Sequence, residues 1–295
     1  MESYFFPSLI DKFISSLEAG GKSGFTIVAY KKDLEQFVGY LSSREITDIR
    51  DVKKEAIDGF ISKLLTDNYT KKSASRKLNS IRTFFRHLKQ ESIIEQNPAL
   101  EVSHPKYVQT APRAFSKLEY RAIRDVAKED PRTYAMIELL LQTGIRIGEL
   151  ANIRLGDIKD SSLHIRPYGK NPAREVPLNK AVKSAVSSYM GARGAKTDKN
   201  PDDVRDNHLF ITRTNKPLLV RNIRQIITRC FREVGIDDVT VNDFRNTFIA
   251  HQLATGYSIE HIARVVGHKR LSSTERFLQL AKPGVEEKAE KVGEL

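Results

Sequence analysis

The side chains most open to chemistry lie in two short segments. In Thr143-Gly144-Ile145-Arg146-Ile147-Gly148-Glu149-Leu150 an arginine stands just beyond a glycine, at the start of an expected helix that carries Glu149 and Leu150. The first turn of a helix offers unpaired N–H groups and a partial positive charge, so an arginine there suits a phosphate. The second segment, Asn242-Asp243-Phe244-Arg245-Asn246-Thr247-Phe248, is followed by Val266-Gly267-His268. Arg245 and His268 again fall where a turn meets a helix among apolar residues. Taken singly, a Gly-x-Arg turn also reads as a structural bend, and a histidine beside apolar residues as a satisfied core side chain.

These segments need elements to position them. Ser116 followed by Glu119 has the spacing of a capping box and opens a helix. Residues 134–141 form an apolar helical run that leads into Thr143-Gly144. Two strand-like pieces, 162–166 and 174–178, flank Tyr168-Gly169-Lys170-Asn171-Pro172, the pattern of a β-hairpin. Helical patterns resume at Lys180 and run to the end. Upstream, Asn97-Pro98 closes a helical region, and the stretch from Ser103-His104-Pro105 to Ala111-Pro112-Arg113 reads as an extended linker. Before it Ile27, Tyr30, Leu34, Phe37, Val38 and Leu41 recur at helical steps, as do Leu78, Ile81, Phe84, Phe85 and Leu88. Lys72, Arg76, Lys77, Arg82 and Arg86 are interleaved with the second set. They are candidates to face DNA, and an ordinary solvated helix face fits them equally well.

Composition narrows the partner. The 295 residues carry 49 Lys and Arg against 37 Asp and Glu, a formal net charge of +12, with 40% hydrophobic residues to build a core. Such an excess points to a polyanion, since each cation that meets a phosphate releases condensed counterions. No apolar run reaches the roughly eighteen residues of a membrane span. The opening MESYFFPSLIDKF lacks the pattern of a secretory signal. Cys230 is the only cysteine, which excludes an internal disulfide and a cysteine-based zinc site. A reducing, cytoplasmic and nucleoid-associated setting is expected, with no metal and no cofactor.

Taken together, the segments resemble the tyrosine recombinase and integrase family, especially its Xer-type members. The likeness rests on Thr-Gly-Ile-Arg-x-x-Glu-Leu, on Gly169-Lys170 with Arg174 and Val176-Pro177-Leu178, on Arg245-x-Thr247-Phe248, and on Gly267-His268, in the family's order. It implies that Arg146 and Arg245 fork onto the non-bridging oxygens of a scissile phosphate and stabilise charge in the transition state. It also implies that Lys170 protonates the departing 5′ oxygen, that His268 donates to the phosphate, and that Arg174 contacts DNA. A tyrosine should then attack phosphorus and form a 3′-phosphotyrosine link without metal or ATP.

The sequence departs from that pattern twice. The expected tyrosine position, nine residues after His268, is Phe277, and no tyrosine follows Tyr257. A phenyl ring has no hydroxyl, so the chain as written should bind DNA without cleaving it. Asn242 stands where the family usually has histidine, three residues before Arg245. Asparagine can hydrogen-bond a phosphate oxygen but exchanges no proton near neutral pH.

The resemblance implies a mainly α, two-domain clamp on double-stranded DNA. Residues 1–102 would be a helical core-binding domain and 103–115 a linker. Residues 116–281 would be a mostly helical catalytic domain with a small β-sheet, and 282–295 a tail helix that docks on a neighbouring protomer. The expected activity is site-specific recombination by a homo-oligomer, a tetramer in the synapse, for an active parent protein with tyrosine at position 277, of which the present chain is the binding, non-cleaving form. The alternative is a naturally cleavage-deficient, architectural DNA-binding relative.

Overall fold

The computed structural model describes residues 5–107, 111–169, 171–194 and 207–280. The chain divides into two compact units, Met1–Gln109 and Thr110–Leu295, each with its own hydrophobic core. The expected tail helix over 282–295 lies outside the described residues.

Among its described residues the first unit holds four α-helices: α1 (Phe6–Ala19), α2 (Gly24–Ser42), α3 (Lys54–Thr66) and α4 (Lys71–Gln90). Side-chain oxygens start two of them. Ser23 accepts from the Thr26 N–H ahead of α2, and Thr70 from the Ser73 N–H ahead of α4. The periodic apolar residues meet in the middle, where Phe13, Phe37, Phe60, Phe84 and Phe85 touch mainly edge to face. Leu34, Leu78, Ile81 and Leu88 fill the space around them. On α4, Lys72, Arg76 and Arg86 are exposed, whereas Lys77 is buried. The buried Asp33 of α2 gathers both kinds: it accepts from the buried Lys77 Nζ at 2.9 Å, from Ser80 Oγ at 2.7 Å and from both terminal nitrogens of the exposed Arg76. Arg82 serves the chain that leaves the unit, donating to the carbonyls of Ala99 (2.9 Å) and Val102 (2.6 Å).

The second unit is helical around one two-stranded sheet. It holds α5 (Lys117–Ala127), α6 (Pro131–Thr143), α7 (Ile147–Ala151), β1 (Ser162–Ile165), β2 (Arg174–Pro177), α8 (Lys180–Gly194), α9 (Val220–Glu233), α10 (Asn242–Ala254), α11 (Ile259–Val266) and α12 (Ser272–Glu275). The capping box at Ser116 and Glu119 opens α5. β1 and β2 pair antiparallel, Ser162 with Pro177 and Ile165 with Arg174, which turns Leu163 and Val176 together into the core. α6, buried almost along its whole length, packs against α8 and α10 at the centre of the unit.

One expectation is corrected. Residues 207–219 interrupt the helical reading that began at Lys180, because their backbone pairs elsewhere. Leu155 N–H donates to the Asn207 carbonyl and Leu209 N–H to that of Ile153, each at 2.7 Å, and the segment folds back at Ile211 and Pro217. Among the described residues no helix is long and apolar enough to cross a membrane.

Candidate active site

Two helix ends and a short helix build the site. α6 stops at Gly144, which takes a left-handed conformation (φ 61°). A Cβ there would lie 2.5 Å from Phe248 Cδ1, so only glycine lets α10 approach. The turn delivers Arg146 to the start of α7. α11 also ends in a left-handed glycine, Gly267 (φ 69°), and its last carbonyls have no partner within the helix.

Three guanidiniums take those carbonyls. Arg245, from the first turn of α10, donates to Val266 O (2.7 Å) and to Gly144 O (2.6 Å). Arg146 donates to Gly267 O (3.1 Å) and Val266 O (3.4 Å), and Arg174 Nε to Val265 O (2.8 Å). The negative end of the α11 dipole therefore faces a cluster of cations. Among the described residues Glu149 is the one carboxylate bonded into it, its side chain fully buried. It accepts two hydrogen bonds from Arg174 (2.8 and 2.9 Å), one from Arg146 Nη1 (3.1 Å) and one from the Arg146 N–H (2.9 Å). Burial alone would raise the Glu149 pKa, but the bonds from Arg174 and the Arg146 backbone hold it below the usual carboxylate value. Three guanidiniums against one carboxylate leave a positive surplus aimed at the opening.

The surplus reaches His268, which follows Gly267 directly. Burial first, then the charges of Arg245 and Arg146, push its imidazole down to about 4, so it is neutral at pH 7. Its Nδ1 lies 2.8 Å from Thr274 Oγ1, and Thr274 is completely buried in α12. One turn later the Phe277 ring closes the site, 4% exposed and part of the unit's core. Burial, and then the Arg146 charge, lower Arg245 to about 9, which leaves it protonated at neutral pH.

An open cleft of about 720 Å³ brings these residues together. Arg146, Asn242, Arg245, His268 and Phe277 all line it. Arg174 stands behind Glu149 with a side chain only 9% exposed, its guanidinium turned inward. Lys170 lies outside the described residues, although its hairpin neighbour Tyr168 lines the cleft. Lys72, Arg76, Lys77, Arg82 and Arg86 belong to the first unit.

Sequence reasoning missed four contributors. Glu149 was legible as a carboxylate three residues beyond Arg146, but its role as shared acceptor appears only when β2 brings in Arg174. Thr274, which fixes His268, gave no signal beyond proximity to Phe277. Arg224 and Arg276 add cations to the cleft wall from α9 and from the end of α12.

Comparison with known proteins agrees with this architecture. The profile of the Phage integrase family matches residues 113–283, and that of the Phage integrase, N-terminal SAM-like domain, matches residues 10–92. Tyrosine recombinase XerC of Anoxybacillus flavithermus is 31% identical over 269 residues, covering 88% of each chain. Tyrosine recombinase XerD of Halalkalibacterium halodurans is 29% identical over 270 residues, 89% of each. Among solved structures, a lambda integrase tetramer bound to a Holliday junction superposes with a TM-score of 0.76 at 17% identity, over 94% of this chain and 78% of that one. That likeness speaks for the fold. A family profile over more than half the chain and a relative 31% identical across 88% of it establish that the chain belongs to the phage integrase family of tyrosine recombinases.

Proposed function

We propose that this chain binds duplex DNA as a site-specific recombinase does, holds one backbone phosphate in the cleft of the second unit, and does not cut it. The observation that carries this reading is the convergence of Arg146, Arg245 and His268 on one opening closed by the Phe277 ring. Arg146 and Arg245 supply charge and paired donors for the non-bridging oxygens. His268 is neutral, with Nδ1 2.8 Å from Thr274 Oγ1; the tautomer that accepts from Thr274 there carries its proton on Nε2, a donor that needs no titration to act. Asn242 adds an amide at the mouth. Lys170 is assigned the general acid's role by the resemblance alone. Phe277 stands at the nucleophile position without the oxygen that would attack phosphorus.

The first unit contributes exposed cations, with Lys72, Arg76 and Arg86 as the accessible ones, and residues 103–115 are read as the linker between the domains. Assembly on DNA follows the family's pattern, four protomers on two duplexes. The relatives are recombinases by name, and the activity of a parent with tyrosine at 277 would be strand cleavage and rejoining. A second reading, a natural relative that holds recombination-like DNA without cutting it, draws support from Asn242.

The test is a pair of assays on a duplex that the chain itself selects from a random pool. Gel shift should show binding that Arg146→Ala weakens, and denaturing electrophoresis should show no covalent adduct. Absence of any preferred duplex, or an adduct formed by the unaltered chain, would overturn the proposal.

A further inference from the structure

The cleft contains a phenol that neither the resemblance nor the family match assigns. Tyr168 lines it beside Arg146 and Gly148 and is 38% exposed. Its backbone is pinned in the hairpin turn. The Tyr168 N–H donates to Asn171 O at 3.1 Å, and Tyr168 O accepts the Asn171 N–H at 3.0 Å and the Asn171 side-chain amide at 3.1 Å. The ring lies flush on α7. A Cβ built on Gly148 would fall 2.6 Å from Tyr168 Cε1 and Cζ and 2.7 Å from Oη, so the hydroxyl end of the ring rests where any larger residue would stand. Gly148 is two residues beyond Arg146. Among the described residues the Tyr168 hydroxyl has no hydrogen-bond partner.

Packing accounts for the ring but not for the oxygen. Phenylalanine would cover Gly148 equally well, whereas an O–H exposed at the wall of a cationic cleft can donate to an anion held there. We propose that Tyr168 is a phosphate-contacting residue, its O–H donating to the same DNA phosphate that Arg146 holds, and that Gly148 is the seat that lets the phenol reach it. The inference rests on the reading that this cleft takes a DNA phosphate.

Methylphosphonate substitution provides the test. On the selected duplex, the phosphate that Arg146 senses is the one whose neutralisation no longer matters in Arg146→Ala. Tyr168→Phe should weaken binding to the unmodified duplex about tenfold, the scale of a hydrogen bond to a charged oxygen, and leave binding to the duplex neutralised at that phosphate nearly unchanged. Gly148→Ala, which displaces the phenol, should produce a similar loss, and the double variant should be no weaker than either single one. Tyr168→Phe carries the test by itself if Gly148→Ala does not fold. Unchanged binding by Tyr168→Phe, or an equal loss on both duplexes, would overturn the assignment. Failure of the unaltered chain to bind any duplex would instead remove the reading beneath it.

Discussion

Arg245 is held by two carbonyl oxygens from two different helix ends, so its position depends on the fold, while among the described residues no carboxylate is bonded to it. Arg245→Lys keeps a cation but offers no fork. It should weaken DNA binding, and it should also destabilise the protein by roughly 1–3 kcal/mol, because a buried acceptor loses its donor. Urea denaturation and gel shift on the same preparation separate the two effects. His268 gives a second prediction. Its pKa near 4 in the folded chain is below the ordinary histidine value, so the unfolded chain binds the proton more readily between the two. The stability contributed by the neutral ring is fully present above about pH 6.5 and is lost as pH falls toward 4. Comparing the pH dependence of the urea midpoint with that of His268→Gln isolates the effect. An anion in the cleft reverses the bias, so the NMR titration midpoint of His268 should rise when DNA binds.

At the scale of elements, the clamp between α7, β2 and α11 sets the cleft. Glu149→Gln removes the single charge that balances Arg146 and Arg174 and should cost roughly 3–5 kcal/mol, the range for breaking a buried ion pair. With its pKa held below the usual 4.5, Glu149 contributes stability above that value that is lost as pH falls through the folded pKa. The variant should therefore show a shallower acid transition by circular dichroism. Much of this frame was legible in advance. Helical periodicity exposed α2 and α4, Ser116 and Glu119 marked the start of α5, and turn residues between two apolar stretches announced the hairpin. The partners of each cation were not legible. Asp33 meets Lys77 across 44 positions and Arg174 meets Glu149 across 25, and nothing local signals a contact that only packing creates. Residues 207–219 escaped for the same reason, since their bonds go to the backbone near Ile153.

For the whole molecule, a net charge of +12 and two units with separate cores predict a binding surface larger than the cleft. A chain that neutralises several phosphates should show a log–log dependence of affinity on salt with a slope several units negative, since each phosphate contributes about −0.9. The second unit alone should bind with a shallower slope, and a salt-independent affinity would contradict DNA binding by both units. At the cleft, the proposed function requires a recombinase phosphate cage that lacks one phenolic oxygen. Phe277→Tyr adds that oxygen to a ring already packed in place. On a nicked suicide duplex carrying the selected site, this variant should form a covalent protein–DNA adduct where the unaltered chain forms none. Arg146→Ala or Arg245→Ala in the same background should abolish the adduct, each removing transition-state stabilisation of roughly 3 kcal/mol or more. Tight binding of the site by Phe277→Tyr with no adduct would contradict the account and leave a protein that holds DNA without being poised to cut it.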